Sequence, residues 1–335
     1  MSMEQRILGR TGLEVSALGL GGAFISRWGS TDRGEARAAI RRALELGVNY
    51  IDTAPSYADS EEVLGYALQG VTQPYCLATK LGGRPEPFDP RDKDALRWSV
   101  EESLRLLGRD RINVLLIHEP DRPRQYDWWD DYDSFHGPVN EVLDELKAEG
   151  VIRFTGLGGT TAYEMPHIIA TGRYDVVLTA FNYSLLWREA EVAVLPEAKK
   201  QGIGIIVGSP LQQGALATRY DEEVERGARW LSPQRRQQYR ELYALLDEID
   251  MPIHELAIRF VLSNPDVAMV LSGSRSVAEV EANVRAAKMG PLPQELLRRL
   301  QEIADMVPMR PYEEPFGLPF RREYTGPGHA MAWRI

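Results

Sequence analysis

The chain has 335 residues, of which 44% are hydrophobic and 26% charged, a composition that is typical of a folded globular protein and excludes a disordered one. A formal net charge of -10 argues against a nucleic-acid partner, because such binding depends on clustered lysine and arginine. The single cysteine, Cys76, permits no intrachain disulfide and favours a reducing compartment. No apolar run suits a signal peptide or a membrane span, so the sequence predicts a cytoplasmic protein with no membrane partner.

The predicted elements begin with a β-hairpin over Arg6 to Val15, where two apolar runs flank a glycine-containing turn. Short apolar runs after it predict eight strands, at residues 16–22, 49–52, 75–80, 113–118, 152–158, 176–182, 204–209 and 267–273. Amphipathic periodicity predicts helices at 32–46, 60–68, 92–107, 139–149, 163–171 and 189–201, with two more helical stretches before the last strand. Asp32 is the expected N-cap of the first helix.

Strands that alternate with helices predict a parallel sheet, because each helix returns the chain to the start of the next strand. Eight repeats favour an α/β protein with a (β/α)8 TIM barrel over a doubly wound sheet, which is usually shorter. No change in composition marks a domain boundary. Residues 1–335 are therefore predicted to form one barrel domain with an extended tail from about residue 308.

The connection over residues 119–138 is longer than an ordinary loop. It is rich in aromatic residues, which argues against disorder. Because it follows a strand, we expect it on the C-terminal face of the barrel, where TIM barrels build their active sites.

Polar residues follow the apolar cores of three consecutive predicted strands. They are Asp52, Lys80 and His118, and Tyr57 lies in the loop just after Asp52. Each residue alone has a structural explanation, as a turn residue, a solvated strand end, a packed ring or a satisfied histidine. Together, at the ends of neighbouring strands, they predict a site at the barrel mouth.

These four residue types suit proton transfer to a carbonyl oxygen. An ammonium near Tyr57 is expected to lower the pKa of the phenol, and a carboxylate would keep that ammonium charged and in place. The histidine can orient the oxygen or relay its proton. Since none of the four would attack the carbonyl carbon, the electrons must come from elsewhere, and a nicotinamide hydride is the natural source.

At these residues the chain resembles the aldo-keto reductase family, through the stretches LGRTGLEVSALGLGG, NYIDTAPSY, LATK and LLIHEPD. The resemblance implies a (β/α)8 barrel closed at the bottom by the hairpin, with NAD(P)(H) extended across the C-terminal face. It also implies that Asp52, Tyr57, Lys80 and His118 form the catalytic tetrad. Tyr57 would be the general acid in reduction and the general base in oxidation.

Two departures from the family pattern affect the expected cofactor contacts. Gly158 and Gly159 stand where many members have a Ser-Asn pair for the nicotinamide carboxamide, and Gly208 stands where many have a stacking aromatic residue. Both departures resemble the galactose-dehydrogenase-like, or aldose dehydrogenase, branch of the family. They imply a sugar or a sugar-like substrate.

The resemblance assigns cofactor binding to two segments, through the residues Ser209, Leu211, Gly273, Ser274, Arg275 and Asn283. Glu279 occupies a position where an arginine often binds a 2′-phosphate, and its carboxylate would repel that group. This favours NAD weakly over NADP. Arg275 is a nearby cation that could bind the phosphate and reverse the preference.

Three tryptophans in loops are candidates for substrate binding, because sugar faces stack on indole rings. They are Trp28 in the first loop, and Trp128 and Trp129 in the 119–138 loop. The alternative is that these rings only pin their own loops, and we expect at most one of the last two to reach the substrate.

The leading hypothesis is therefore an NAD(P)-dependent oxidoreductase acting on an aldehyde, a ketone or a sugar. A catalytically silent, cofactor-sensing or channel-associated module of the same family is one alternative, which the intact tetrad disfavours. A metal-dependent barrel hydrolase is another, but no metal site is predicted, because the first strand offers no ligand and His118 has no histidine partner at ligand spacing.

Overall fold

The computed structural model describes residues 2–29, 32–228 and 230–309, and within them eight parallel strands close into a barrel. The barrel strands are β3 Leu18–Gly21, β4 Tyr50–Asp52, β5 Cys76–Leu81, β6 Ile112–His118, β7 Ile152–Gly159, β8 Val176–Ala180, β9 Gly204–Gly208 and β10 Met269–Gly273. They follow one another around the barrel in chain order, and β10 pairs with β3 to close it. The predicted α/β (β/α)8 TIM barrel is confirmed.

The predicted hairpin closes the N-terminal end of the barrel. Its strands are β1 Gln5–Ile7 and β2 Glu14–Ser16, and Leu8 and Val15 pack into the same apolar cluster as the first inward-facing residues of the barrel strands. At Gly9, whose φ is 49°, a Cβ atom would lie 2.2 Å from the backbone nitrogen of Gly204. Only glycine allows the hairpin turn to approach β9 this closely.

The helices surround the barrel and bury their apolar faces against it. They are α1 Arg33–Glu45, α2 Ser60–Ala67, α3 Lys93–Leu107, α4 Pro138–Ala148, α5 Met165–Ala170, α6 Val194–Gln201, α7 Asp221–Arg226, α8 Pro233–Ile249, α9 Ile253–Leu262, α10 Val277–Lys288 and α11 Gln294–Asp305. The carboxylate of Asp32 accepts hydrogen bonds from the backbone nitrogens of Gly34 and Glu35, so it is the N-cap of α1 as predicted. None of the helices described is long and apolar enough to cross a membrane.

Two helix predictions differ from the structure. The helix expected from residue 189 begins at Val194, because Ala193 has a φ of -144°, which is outside the helical range. Among the residues described between β9 and β10 there are three helices instead of two. The six-residue α7 was not predicted, because it buries only Val224 and its sequence shows no amphipathic periodicity. Most of the tail predicted from about residue 308 lies outside the described residues.

Candidate active site

The alternation of side chains along a strand places three polar residues inside the barrel. Inward-facing residues of β4 and β5, such as Tyr50 and Ala78, belong to the apolar cluster at the barrel centre. Asp52, Lys80 and His118 lie two residues beyond such positions on β4, β5 and β6, so they face the same interior. All three are buried at the C-terminal end of the barrel.

Asp52 and Lys80 form a buried ion pair between neighbouring strands. Lys80 Nζ lies 2.5 Å from Asp52 Oδ1 and donates a second hydrogen bond of 2.7 Å to the backbone oxygen of Thr53. Burial raises the pKa of Asp52, and the ammonium opposes that shift. Burial lowers the pKa of Lys80, but Asp52 and Tyr57 raise it, and the net pKa is above its usual value. Lys80 therefore remains an ammonium ion.

A tight turn brings Tyr57 back over this pair. The backbone nitrogen of Tyr57 donates to the oxygen of Ala54 at 3.0 Å, and Pro55 occupies the second position of the turn, where its fixed φ is favoured. The Tyr57 ring lies over Lys80, with Nζ 4.8 Å from the ring centroid. Strand end and turn together place a phenol beside a buried ammonium.

The pKa of Tyr57 corrects one expectation. Burial raises this pKa above its usual value, and Lys80 acts in the predicted lowering direction but does not outweigh burial. Part of the side chain remains accessible to solvent, which weakens the effect of burial. Tyr57 is therefore a protonated phenol at neutral pH, and Lys80 reduces the free-energy cost of its ionisation.

His118 lies edge-on to Tyr57, with ring centroids 5.7 Å apart. Its Nδ1 is 3.2 Å from the Oγ of Ser56, a partner that sequence reasoning missed. Burial, aided by the charge of Lys80, lowers the pKa of His118 well below its usual value. The imidazole is therefore neutral and carries one N–H donor and one acceptor nitrogen.

The 119–138 loop packs against the site through two indole rings. Trp128 and Trp129 are 0% and 1% exposed, and their Nε1 atoms donate to the backbone oxygens of His118 and Pro120 at 3.0 and 2.9 Å. Both rings are buried and anchor the loop, which favours the alternative that they pin it, and the expected contact of at most one of them with substrate stays a prediction. Trp28 is 43% exposed and its ring centroid lies 5.7 Å from that of Tyr57, so it borders the barrel mouth.

Two buried acids just beyond His118 were not predicted. Glu119 Oε2 accepts from Thr160 Oγ1 at 2.6 Å, and Asp121 Oδ2 accepts from the backbone nitrogens of Thr160 and Thr161 at 3.1 and 2.5 Å. Burial and the neighbouring Asp121 raise the pKa of Glu119 to about 7, although Arg122 opposes the shift. The two acids that follow the histidine in HEPD were the available sign of this cluster.

The cluster explains one of the unexpected glycines. A Cβ at Gly159 would lie 2.0 Å from Met165 Cε and 2.5 Å from Asp121 Oδ1, so Asp121 already fills the space of a side chain there. Gly158 faces the barrel interior, and its Cβ would lie 3.5 Å from Lys80 Cε, at an ordinary contact distance. The two glycines thus differ: a side chain at position 159 would overlap Asp121, whereas a methyl group at position 158 would fit in contact with Lys80.

The predicted cofactor residues lie at the ends of β9 and β10. Ser209 has a positive φ of 55° directly after β9, and Leu211 is half-buried against the core. Gly273 ends β10 and is exposed. The Nδ2 of Asn283 donates to Ser274 Oγ at 3.0 Å, and both residues are buried, so they shape the turn into α10.

Arg275 is paired with Glu279 at this turn. Its Nη2 lies 2.9 Å from Glu279 Oε1, and its backbone nitrogen donates to Oε2 of the same carboxylate at 2.7 Å. Both side chains are at the surface. The cation that sequence reasoning left open for a phosphate is thus neutralised by its neighbour.

Among residues 2–29, 32–228 and 230–309, no group of three or more histidine, cysteine, aspartate or glutamate side chains is arranged to hold a metal ion.

Comparison with known proteins relates this geometry to one family. Residues 17–305 match the model of the aldo/keto reductase family. The chain is 32% identical to L-galactose dehydrogenase of Arabidopsis thaliana, over 85% of this chain and 88% of that protein. It is 28% identical to D-threo-aldose 1-dehydrogenase of a Pseudomonas species, over 86% and 94%. The aldo-keto reductase AKR11C1 of Bacillus halodurans, in its holo form, superposes with a TM-score of 0.74 and 31% identity, over 93% of this chain and 100% of that one. The chain belongs to the aldo/keto reductase family.

Proposed function

We propose that the protein is an NAD(P)-dependent oxidoreductase that transfers a hydride between nicotinamide and the carbonyl or alcohol carbon of an aldehyde, a ketone or a sugar. The observation that carries the proposal is the position of Tyr57 over the buried Asp52–Lys80 ion pair and beside a neutral His118. A protonated phenol, a fixed ammonium and a neutral imidazole are the groups that carbonyl reduction needs.

In reduction, His118 binds the carbonyl oxygen and Tyr57 donates a proton to it. A bound nicotinamide supplies the hydride, or accepts it in the reverse direction. Lys80 stabilises the phenolate that remains on Tyr57, and Asp52 holds Lys80 in place. In oxidation the same phenolate removes the proton from the alcohol, so one set of residues serves both directions.

The cofactor would lie across the C-terminal face, from Gly158 to the N-terminus of α10. Gly158, Gly208 and Gly273 add no side chain of their own along this path, and the start of a helix favours an anionic phosphate. The Arg275–Glu279 pair supports NAD over NADP, because a 2′-phosphate would meet a carboxylate and a cation that is already paired.

An aldose is the favoured substrate class. Two relatives that match most of the chain are named for dehydrogenation of galactose and of aldoses. Trp28, partly exposed beside Tyr57, is the remaining indole that could stack on a sugar ring.

A spectrophotometric screen tests the proposal. Purified protein is mixed with NAD or NADP and a panel of aldoses, or with NADH or NADPH and a panel of aldehydes, and the absorbance of the reduced nicotinamide is followed. We expect steady turnover of at least one aldose with NAD. Cofactor binding by fluorescence without turnover of any compound would favour a cofactor-sensing module, and absence of cofactor binding would reject the proposed function.

A further inference from the structure

The two ring nitrogens of His118 have different surroundings. Nδ1 lies 3.2 Å from Ser56 Oγ. No described residue forms a hydrogen bond with Nε2, on the other side of the ring. The backbone oxygen of His118 accepts from Trp128 Nε1, which fixes the strand end that carries the ring. Nε2 is therefore the nitrogen left for an oxygen atom of a bound substrate.

Gly82 and Gly83, which follow β5, lie next to the two partners of the Ser56–His118 contact. A Cβ at Gly82 would lie 3.1 Å from His118 Cβ, and a Cβ at Gly83 would lie 3.2 Å from Ser56 Cβ. These glycines have φ values of 134° and 89°, which other residues rarely adopt. Side chains at these positions would crowd His118 and Ser56, so the two glycines leave room for the Ser56–His118 contact.

The protonation of the imidazole decides what Nε2 can do. A neutral histidine carries its hydrogen on one nitrogen only, and the hydrogen bond to the other nitrogen selects which one. If the Ser56 hydroxyl donates to Nδ1, the hydrogen lies on Nε2, which can donate to a carbonyl oxygen. If Nδ1 donates to Ser56, Nε2 presents a lone pair that repels that oxygen.

We propose that Ser56 is a positioning residue that holds His118 in the Nε2–H tautomer, so that the imidazole donates its hydrogen to the substrate oxygen. This role of His118 rests on the proposed oxidoreductase function, whereas the tautomer itself does not. Ser56 touches His118 and not the reacting atoms. Because it directly precedes Tyr57, a single turn carries both the proton donor and the residue that prepares the histidine.

Nitrogen NMR of the full-length chain labelled in its histidine rings measures the tautomer directly. We expect a protonated Nε2 and an unprotonated Nδ1 for His118, assigned by the resonance that disappears in His118→Gln. Ser56→Ala should shift the resonances toward a mixture of tautomers and lower kcat about tenfold, the effect of one lost hydrogen bond, without changing the KM for the cofactor. Ser56→Cys, which keeps a weaker donor of similar size, should fall between the two.

Ser134→Ala, at an exposed loop serine bonded to Asp131, is the control and should match the wild type in spectrum and turnover. An Nδ1–H tautomer in the wild type would overturn the inference. So would a Ser56→Ala protein with the wild-type spectrum, or one with a changed tautomer and full turnover. The spectra need no turnover, so an inactive wild type with the expected tautomer would reject the proposed function and leave the structural role of Ser56 supported.

Discussion

Two sectors of the barrel mouth differ in the residues at the C-terminal ends of their strands. In the catalytic sector, formed by the ends of β4 to β6, the last two residues of each strand include a buried ionisable side chain, namely Asp52, Lys80 and His118. In the glycine sector, formed by the ends of β7, β9 and β10, they end in Gly159, Gly208 and Gly273. Proton transfer needs side chains held at fixed positions, whereas an extended ligand needs space and backbone groups. The difference is the one that the proposed function needs, with proton transfer in the catalytic sector and cofactor binding in the glycine sector.

The largest expected effect is that of removing the proton donor of the catalytic sector. Tyr57→Phe should lower kcat about 10³-fold, because general acid catalysis contributes on this scale. Cofactor affinity, measured by quenching of protein fluorescence, should not change, since the proposed cofactor contacts lie in the other sector. Tyr132→Phe, at an exposed tyrosine bonded to Asp127, is the control. Full turnover by Tyr57→Phe would remove the basis of the proposed mechanism.

Breaking the ion pair should destabilise the catalytic sector. Asp52→Asn leaves the buried ammonium of Lys80 without a countercharge, and we expect a loss of about 3 kcal/mol in the free energy of unfolding, measured in urea. The double variant Asp52→Asn with Lys80→Met should recover much of this stability but no activity. Asp130→Asn, at an exposed pair with Arg91, should change stability by less than about 0.5 kcal/mol. Equal losses of stability in Asp52→Asn and Asp130→Asn would contradict the conclusion that burial makes the Asp52–Lys80 pair more important for stability than an exposed pair.

Adjacent glycines provide a matched pair within the glycine sector. Gly159→Ala should lower stability by about 2 kcal/mol, because the new methyl group overlaps Met165 and Asp121. Gly158→Ala should leave the unfolding transition nearly unchanged, because its methyl group fits at an ordinary contact distance from Lys80, and should raise the KM for the cofactor, because that group lies where the proposed nicotinamide would bind. If Gly159→Ala and Gly158→Ala lose the same stability and keep the same KM for the cofactor, the two glycines do not have separate roles.

Glu119 lies where the two sectors meet, and its contribution to the stability of the fold should depend on pH. Its folded pKa of about 7 exceeds the unfolded value of about 4.3, so the native state binds more protons between these values and stability falls as pH rises through this window. Glu119→Gln should flatten this dependence, because an amide does not titrate. Thermal unfolding at a series of pH values across this window measures the pH dependence of stability. The control is Glu149→Gln, at an exposed pair with Arg97. A steeper fall of stability with rising pH in Glu119→Gln would show that ionised Glu119 stabilises the native state, which contradicts this prediction.

The smallest effect concerns cofactor choice at the end of β10. Glu279→Gln removes a negative charge and releases Arg275, so affinity for NADP should rise about fivefold, or about 1 kcal/mol, while affinity for NAD stays constant. Titration of both cofactors by fluorescence tests this, and Glu281→Gln, at the residue that binds Arg42, is the control. Equal changes for the two cofactors would place the 2′-phosphate elsewhere.

The fold and the position of the tetrad were predictable because both follow from local patterns. Alternation of period two decides which residues face the barrel interior, and apolar runs show where the strands end, so Asp52, Lys80 and His118 could be grouped from the sequence. The turn at Pro55 was also readable. These features depend on neighbours along the chain.

What could not be predicted depends on contacts between distant segments. The burial of Trp128 and Trp129 follows from the packing of a long loop onto β6, and the need for glycine at position 159 follows from Asp121, which lies 38 residues earlier. The pKa of Tyr57 reflects a balance between burial and charge, and a sequence reveals the charge more readily than the burial.

The bond from Trp128 Nε1 to the carbonyl of His118 constrains how the substrate range of such an enzyme can be changed. A loop graft that replaces the whole 119–138 segment would remove a support of His118 along with the exposed tip of the loop. Changes at the exposed tip, around Tyr132 and Asp133, leave both indole anchors in place. The loop thus has a fixed base and an exchangeable tip, and directed evolution of specificity should begin at the tip.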